Sequence, residues 1–301
     1  MISVVIPLYN KEKSIATTLE SVFAQSYTDY EVVVVDDGST DNSQNIVRGL
    51  VNDKIRLISK PNGGVCSARN RGIQEAKGEY IALLDGDDIW DKEYLSEQVK
   101  MIRDFPEAAM WGINFAETMN GQLMRKLETA LPEGYRGYVE KYFELKGRIS
   151  DLFHSSAVVI RKEVFDKVGY FDERIKYSED IDMWWRIIAV HPVAFYDRYM
   201  VRYQQDTENR AMDKKRELRY SLPFFVEKYR EPIFKQNIVF YKWVNRWCGV
   251  KIKLIYFNDP EQREDAKEAA RRLDYTQLPI KYWCELLTPY WIGKQVYRLL
   301  K

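Results

Sequence analysis

The sequence predicts an α/β fold in which helices flank a mostly parallel sheet, followed by an α-helical C-terminal extension. Strand-like and helix-like patterns alternate four times within residues 1–104, as is typical of βαβ units. Acidic clusters at 36–37 and 85–88 each follow a short apolar run, so both are expected where a strand ends. From residue 213 onwards, aromatic and basic residues replace this alternation and predict helices.

Each predicted strand is a short apolar or β-branched run, and each predicted helix has apolar residues at helical spacing. Residues 117–150 are predicted to be irregular, because glycine and proline recur there. The predicted strands are 2–6, 31–35, 54–59, 80–84, 108–115, 157–160 and 193–204. The predicted helices are 12–25, 41–51, 65–77, 91–104 and 178–190.

The length of 301 residues allows one large domain or two smaller ones. We place the main boundary after residue 212 and divide the first domain into 1–115 and 116–212. The chain has a net charge of +1, which gives no general case for nucleic-acid binding. The charge is unevenly distributed, however. Residues 213–301 contain 19 Lys and Arg against 11 Asp and Glu, so they carry +8 and the rest of the chain −7.

The three cysteines form no Cys-x-x-Cys motif, so we expect reduced thiols and a cytoplasmic protein. The two histidines are too few for a histidine-based metal cluster. The chain opens directly on a strand-like run, so no signal peptide is expected. No apolar run approaches the roughly 18 residues that a membrane-spanning helix needs.

Asp85, Asp87 and Asp88 place three carboxylates within four residues at the end of a predicted strand. Their mutual repulsion indicates a cation, and Mg²⁺ or Mn²⁺ is typically held by one or two carboxylates together with substrate phosphates. A solvated Asp-rich turn is the alternative, since Asp and Gly are common in turns. The predicted convergence of both acidic clusters on one edge of the sheet favours the metal site.

Five segments resemble, in the same order, the motifs of family 2 glycosyltransferases. The resemblance covers residues 2–205, about two-thirds of the chain. Any one motif is weak, but five in order over this length are specific. The segments are VVIPLYN (4–10), VVDDGSTD (34–41), ARNRG (68–72), AKGEYIALLDGDD (76–88) and SED (178–180) ahead of WWR (184–186).

The resemblance implies a GT-A type nucleotide-sugar-binding domain with a Rossmann-like sheet, in which 1–115 binds the donor and 116–212 faces the acceptor. It also implies an Asp-x-Asp metal site for Mn²⁺ or Mg²⁺ and an inverting sugar transfer. Asp87 is then the first choice for the metal, with Asp85 on the donor ribose or a metal-bound water. Asp88 is predicted to cap the following helix. The donor residues implied by the resemblance are Pro7, Tyr9, Asp37, Arg69, Asn70 and Asp85.

In this scheme Asp37 accepts a hydrogen bond from the donor base, and Tyr9 lies against that base in a pocket shaped by Pro7. Arg69 pairs with the nucleotide or its phosphates. The alternatives are a core aromatic for Tyr9 and an exposed helix charge for Arg69. Asp36 is expected to be structural and to cap the following turn.

Asp180 is the candidate general base for the acceptor hydroxyl, with Glu179 in reserve. A carboxylate within hydrogen-bond reach can take the proton that the attacking hydroxyl loses. The alternative is that Glu179 and Asp180 merely occupy a helix N-terminus, where acidic residues are favourable in any case.

Two departures from the family pattern stand out. Many members carry a histidine after the last strand of the catalytic domain, whereas this chain has Gln204 to Thr207 there, so Gln204, Asp206 or no third protein ligand is expected. The Gln-x-x-Arg-Trp motif of polymerising members is also missing, which favours transfer of a single sugar.

The sequence therefore predicts a metal-dependent transferase that uses a nucleotide sugar, with UDP-sugars favoured by the resemblance. The expected acceptor is a glycan or lipid-linked glycan. A sugar-phosphate nucleotidyltransferase and a non-catalytic sugar-binding protein are the alternatives. The charge and aromatic content of 213–301 also raise the hypothesis of peripheral contact with the inner face of a membrane. Aromatic packing on the catalytic domain, or a protein partner, would account for the same residues.

Overall fold

The fold is taken from a computed structural model, which describes residues 1–50, 52–126, 129–145, 152–208, 216–288 and 290–299. The chain divides into two compact units. The first unit contains Met1–Glu173 and Met183–Asp213, and the second contains Arg174–Asp182 and Lys214–Lys301. The segment Arg174–Asp182 thus groups with the C-terminal region, although the sequence places it with 116–212.

Residues 1–104 form the predicted alternation of strands and helices. The helices are shorter than the sequence patterns indicate. Three of them begin two or three residues after the predicted start, and the helix predicted over 65–77 ends two residues early. The strands are β1 (Ile2–Leu8), β2 (Tyr30–Asp36), β3 (Ile55–Ser59), β4 (Tyr80–Leu83) and β5 (Ile89–Trp90). The helices are α1 (Ile15–Phe23), α2 (Ser43–Leu50), α3 (Val65–Glu75) and α4 (Tyr94–Asp104).

The second half of the first unit adds β6 (Met110–Met119), β7 (Gln122–Lys126), β8 (Arg136–Tyr138), β9 (Val158–Arg161) and β10 (Val193–Gln204), with α5 (Val164–Val168). Helix α6 (Glu179–Val190) begins in the segment Arg174–Asp182 of the second unit and continues into the first unit. The prediction that residues 117–150 are irregular is wrong in part. The β6–β7 hairpin turns at Asn120 and Gly121, which both have positive φ. The sequence pattern did not predict these strands, because turn-forming residues such as glycine and proline recur in this segment. Residues 127–128 and 146–150 of that range lie outside the described residues.

The strands belong to one sheet with the order β3-β2-β1-β4-β9-β6-β10-β5, to which β7 adds beside β6 and β8 beside β10. The half of the sheet formed by β3-β2-β1-β4 is parallel throughout. Beyond it, β9 runs antiparallel to both β4 and β6, while β10 is parallel to β6. The α/β class with its flanking helices is therefore confirmed.

The core of the first unit is formed by the fully buried faces of β1, β2 and β4 with α1 and α4. Their almost unbroken Val, Ile and Leu content follows from burial on both sides of the parallel sheet. The opposite face of β2 contacts α3 through a small cluster that contains Val33, Val35 and Ala68. These packed layers fix the strand ends, and so they position every loop that follows a strand.

The second unit is helical in its C-terminal part, as the sequence predicts. It contains α7 (Pro232–Lys235), α8 (Ile238–Asn258), α9 (Arg263–Ala270), α10 (Ile280–Leu286) and α11 (Tyr290–Leu299), preceded by a 3₁₀ segment at Leu222–Arg230. Within the described ranges, no helix is long and apolar enough to span a bilayer. Cys66, Cys248 and Cys284 are all free thiols, and only Cys284 is exposed.

Candidate active site

The two acidic clusters meet at one edge of the sheet, because β1, β2 and β4 are parallel and adjacent. Leu8 at the end of β1 lies opposite Asp36 at the end of β2. The backbone N–H of Asp37 then donates to the Leu8 carbonyl at 2.8 Å. On the other side, Leu84 extends β4 along β1 through a further backbone hydrogen bond. Residues 85–88 therefore leave the sheet on the same rim as residues 9–11 and 37.

Asp37 is buried at this rim and its carboxylate is held from three directions. Oδ1 accepts from Lys60 Nζ at 2.5 Å and from the Gly63 N–H at 3.0 Å. Oδ2 accepts from the Gly64 N–H at 2.8 Å. Because Oδ2 accepts one of these three hydrogen bonds, it retains a lone pair for a further donor.

Asp36 has a different environment from its neighbour. Its Oδ1 accepts from the Ser39 N–H at 3.1 Å, and its Oδ2 accepts from Gln44 Nε2 at 2.8 Å. The expectation that Asp36 caps the turn is confirmed. Gly38 in that turn has a φ of +76°, and an added Cβ would lie 3.0 Å from the Asn62 backbone nitrogen, so glycine is required by both backbone angle and space.

The loop that carries Tyr9 is tied to the loop after β2. The Thr40 N–H donates to Asn10 Oδ1 at 2.8 Å, and the Lys11 N–H donates to Ser43 Oγ at 2.8 Å. Tyr9 is half-buried, and Pro7 is still part of β1. Both residues therefore lie on a restrained segment at the rim, as the resemblance requires.

Arg69 and Asp85 form a buried ion pair beside this loop, with Arg69 Nη2 2.7 Å from Asp85 Oδ1. The guanidinium is nearly inaccessible to solvent at 3% exposure, and it also lies over the Phe171 ring. Burial raises the pKa of Asp85, but the charge and hydrogen bond of Arg69, together with smaller contributions from His154 and Lys11, outweigh it, and the pKa is lowered. Asp85 is thus an ionised carboxylate at the rim, and Arg69 is not an exposed helix charge.

Asn70 was predicted to contact the donor, and its amide is used elsewhere in the structure. Nδ2 donates to the Phe171 carbonyl at 2.9 Å, while Oδ1 accepts from the Phe171 N–H at 2.9 Å. The side chain fastens α3 to the turn that contains Phe171. We interpret Asn70 as a residue that positions this turn, and its contact with a donor stays a prediction.

Asp87 is held by a lysine and a threonine that the sequence does not single out. Its Oδ2 lies 2.6 Å from Lys11 Nζ and accepts from Thr207 Oγ1 at 2.7 Å. Its carbonyl accepts from Gln204 Nε2. Residues at the end of β10 and just after it therefore contact Asp87. Lys11 also binds this segment, since it donates to the Glu208 carbonyl at 2.5 Å.

Asp88 does not cap the following helix, so that prediction is wrong. The side chain is fully buried, and it accepts from Ser156 Oγ at 2.5 Å and from the Gln204 N–H at 3.2 Å. The strand β5 intervenes before α4, so Asp88 is too far from the helix start to act as a cap. Burial, together with the charges of Asp87 and Asp85, raises the pKa of Asp88 well above its usual range.

The donor set fits a hard divalent ion that shares its coordination with phosphate oxygens. Asp85 and Asp87 offer two carboxylates, and the described residues contain no cluster of three or more His, Cys, Asp or Glu side chains suited to a metal. Mg²⁺ is often bound through only one or two carboxylates plus substrate phosphates. In the structure Arg69 and Lys11 supply the positive charge that the two carboxylates require.

Many family members carry a histidine in the segment that corresponds to Gln204–Thr207, and the side chains of this segment contact two different places. Gln204 and Thr207 contact Asp87, whereas Asp206 Oδ2 accepts from the Asn120 N–H at 2.8 Å. Of the two expected substitutes, Gln204 therefore reaches the rim, while Asp206 binds the β6–β7 turn. An imidazole lies near the rim on another element, because His154 Nδ1 accepts from the N–H of Ser156, whose hydroxyl contacts the Asp85 N–H and the Asp88 carboxylate.

Glu179 and Asp180 form the first turn of α6, and both side chains are half-buried. Asp180 Oδ1 accepts from the Ile181 N–H at 2.8 Å. The preceding residue, Ser178, has a φ of +65°, which is uncommon for a residue other than glycine. Within the same unit, Asp182 is fully buried and lies 2.5 Å from Lys228 Nζ.

Sequence reasoning missed Lys11, Lys60, Ser156, Thr207 and the role of His154. Lys60 directly follows β3, and Lys11 lies three residues after β1. A lysine shortly after a predicted strand was therefore the sequence signal that indicates both residues. Ser156 and Thr207 gave no such signal. They reach the rim from 68 and 120 residues away along the chain, through the folding of the sheet.

Comparisons with known proteins indicate the family of this chain. The family model described as glycosyl transferase family 2 matches residues 3–169. A Rickettsia felis protein described as an uncharacterized glycosyltransferase is 30% identical over 212 residues, which are 69% of this chain. This chain spans only 35% of that relative's length. The amylovoran biosynthesis glycosyltransferase AmsB of Erwinia amylovora is 28% identical over 289 residues, covering 89% of each chain.

A solved structure with a similar fold is residues 1–349 of Staphylococcus aureus TarS in complex with UDP-GlcNAc. The TM-score is 0.63 at 22% identity, over 99% of this chain and 79% of that one. The sheet, its flanking helices and the acidic rim define a glycosyltransferase fold of the GT-A type. The chain belongs to glycosyl transferase family 2.

Proposed function

We propose that this protein is a metal-dependent inverting glycosyltransferase. It moves one sugar from a nucleotide sugar to a hydroxyl of a glycan or lipid-linked glycan, in the biosynthesis of a cell-envelope polysaccharide. The observation that carries the proposal is the convergence of Asp37, Arg69, Asp85 and Asp87 on one rim of the sheet. The names of AmsB and of the TarS complex support the same substrate class.

The donor nucleotide, for which a UDP-sugar is our choice, lies against Pro7 and Tyr9 in this proposal. Asp37 accepts a hydrogen bond from the base through Oδ2. Lys60, Gly63 and Gly64 hold the Asp37 carboxylate in place, which keeps the acceptor atom fixed before the donor arrives. Arg69 contacts the nucleotide phosphates, and Asp85 contacts the ribose or a metal-bound water. Asn70 positions the turn next to Arg69.

The metal, Mn²⁺ or Mg²⁺, is held by Asp87 with Asp85. When bound, it stabilises the negative charge that develops on the leaving diphosphate. Lys11 lies 2.6 Å from Asp87 Oδ2 and contributes positive charge at the same place. Gln204 and Thr207 hold Asp87 in position, in the segment where many relatives carry a histidine.

Asp180 is the proposed general base and Glu179 the reserve. A half-buried carboxylate at a helix start remains accessible to an acceptor hydroxyl, and an inverting transfer requires one group to take the hydroxyl proton. The oxygen of the acceptor then bonds to the sugar carbon while the bond from that carbon to the diphosphate breaks. The sequence lacks the motif of polymerising relatives, which supports a single transfer.

Two other classes of protein are compatible with the same rim, and each predicts a different assay result. A sugar-phosphate nucleotidyltransferase would release pyrophosphate, while a non-catalytic sugar-binding protein would bind the donor without turnover. Release of nucleoside diphosphate distinguishes glycosyl transfer from both. Because the activity uses a soluble donor, we propose a cytoplasmic location, with peripheral placement at the inner face of a membrane.

Metal dependence tests the proposal directly. Chelation should abolish nucleoside diphosphate release, and Mn²⁺ or Mg²⁺ should restore it. Asp87→Ala should abolish turnover and also weaken Mn²⁺ binding in calorimetry performed with nucleoside diphosphate. Asp53→Ala, at an exposed carboxylate in the same unit, is the matched control and should change neither quantity. Full turnover in the presence of chelator would refute the metal assignment.

A further inference from the structure

Helix α8 has apolar residues on two opposite faces, which is unusual for a helix at the surface. The inner face packs inside the second unit through Phe240, Tyr241, Val244, Cys248 and Ile252, all of which are buried. The outer face follows the helical repeat on the other side. It consists of Val239, Trp243, Trp247, Val250 and Leu254, of which the two tryptophans are half-buried and the three aliphatic residues exposed.

The charges on α8 are all positive. The helix of 21 residues contains Lys242, Arg246, Lys251 and Lys253 and no acidic residue. Lys253 is turned inward and pairs with the buried Glu285 at 3.2 Å. The other three basic side chains are exposed beside the apolar outer face. The outer face therefore combines aliphatic, tryptophan and basic side chains over about 22 Å of helix between Val239 and Leu254, at 1.5 Å per residue.

A neighbouring helix in the same unit carries a second exposed apolar row. Ile280, Trp283 and Leu287 are 79%, 44% and 52% exposed, and their spacing places them on one face of α10. Exposed apolar residues scattered singly need no explanation, but contiguous rows with basic flanks mark interaction surfaces. The row on α10 and the outer face of α8 both belong to the second unit.

We propose that the outer face of α8 binds the surface of an anionic lipid bilayer. A helix with basic flanks and Trp and Leu on one face lies in the plane of the membrane interface, with its apolar side chains in the headgroup region. Anionic headgroups attract the exposed Lys242, Arg246 and Lys251, and tryptophan favours the interface. A second copy of the chain is disfavoured as the occupant, because two faces of the same positive charge repel each other.

This inference rests on the peripheral placement proposed above and names the surface responsible for it. It can fail while the proposed sugar transfer stands, because its readout is binding to lipid and not release of nucleoside diphosphate. The full-length chain is sedimented with vesicles of phosphatidylcholine alone or of phosphatidylcholine with phosphatidylglycerol. Binding is expected only with the anionic vesicles at low salt. It should fall steeply towards 1 M salt, where the Debye length shrinks to about 3 Å from about 30 Å at 0.01 M.

Two variants separate the apolar and electrostatic contributions. Val250→Gln with Leu254→Gln removes the apolar contact without changing the charge, and Lys242→Glu with Arg246→Glu reverses the charge. All four positions are exposed, so the fold should be retained, which circular dichroism checks. Each double variant should bind anionic vesicles at least about tenfold more weakly.

The matched control, Arg48→Glu with Lys92→Glu, makes the same change of charge at exposed positions of the first unit and should bind like wild type. Equal loss in the control would overturn the assignment to α8, because net charge alone would then explain the binding. Absence of binding at low salt, or equal binding to neutral vesicles, would also overturn the proposal. So would a dimer in sedimentation velocity that the Val250→Gln/Leu254→Gln variant dissociates.

Discussion

The carboxylates of the rim are each satisfied by a partner from a different part of the chain. Lys60 holds Asp37, Arg69 holds Asp85 and Lys11 holds Asp87. A buried or half-buried carboxylate needs such a partner, because an unpaired charge away from water is costly. These ion pairs hold the carboxylates in place, so a ligand that binds at the rim has to exchange or share them.

At the scale of single residues, Asp180→Asn tests base catalysis. Removing the proton acceptor should lower kcat about 10²-fold or more, while the KM for the donor stays nearly unchanged. The variant keeps the amide oxygen that can accept from the Ile181 N–H, so the helix start should be retained. Glu179→Gln is the matched control and should retain most of the activity. A loss of donor affinity with unchanged kcat would make Asp180 a binding residue.

Donor recognition is tested by Asp37→Asn. We expect weaker binding of uridine diphosphate, because the amide offers one acceptor oxygen where the carboxylate offers two. Asp36→Asn is the control, since Asp36 is equally buried but serves only the turn and Gln44. Isothermal titration calorimetry measures both variants. Equal affinities for wild type and Asp37→Asn would remove Asp37 from the donor site.

At the scale of elements, α3 lies unusually close to β1 because residue 72 is glycine. A Cβ at this position would be 2.4 Å from Val5 Cγ1 and 3.3 Å from Val35 Cγ2. Both valines are fully buried in the strands that lead to the rim. The glycine therefore sets the distance between the sheet and the helix that carries Arg69.

Gly72→Ala should destabilise the protein by about 1–3 kcal/mol, because the added methyl group overpacks a full core. Gly49→Ala is the matched control on α2, where an added Cβ has no neighbour within 4 Å. There alanine should stabilise the helix by about 0.5–1 kcal/mol. Urea denaturation measures both changes. Stabilisation by Gly72→Ala would show that α3 can move away from β1 at no cost.

At the scale of the whole molecule, the first turn of α6 belongs to the same compact unit as the C-terminal region. Asp182 is fully buried there, and it pairs with Lys228 Nζ at 2.5 Å and accepts from Tyr229 OH at 2.5 Å. The C-terminal region therefore fixes the helix turn that carries Asp180. This is a structural role for the region that is separate from any contact with lipid.

Lys228→Met should cost about 3–5 kcal/mol of unfolding free energy, because it leaves the buried Asp182 carboxylate without its cation. Lys100→Met is the matched control. It removes the pair with Glu97, in which Lys100 is half exposed, and such a surface pair is worth under about 1 kcal/mol. Urea denaturation compares the two variants. An effect of Lys228→Met no larger than that of the control would contradict the buried-pair assignment.

The sequence by itself determined the fold class, the succession of the first four strands along the chain and the place of both acidic clusters. Apolar runs and strand–helix alternation are local patterns, and parallel strands bring their carboxyl ends to one edge without further information. The motifs around Asp37, Arg69 and Asp85–Asp88 were therefore sufficient to locate the rim. The family comparison then agreed with the resemblance that those motifs carry.

Only the tertiary structure decided which side chains complete the rim and which carboxylates turn away from it. Asp88 follows the same strand as Asp85 and Asp87, yet it is buried against Ser156, and Asn70 is bound to the turn at Phe171. Thr207 reaches Asp87 from the end of β10, across 120 residues of chain. Such contacts depend on how distant segments pack in space, and no local pattern in the sequence encodes that packing.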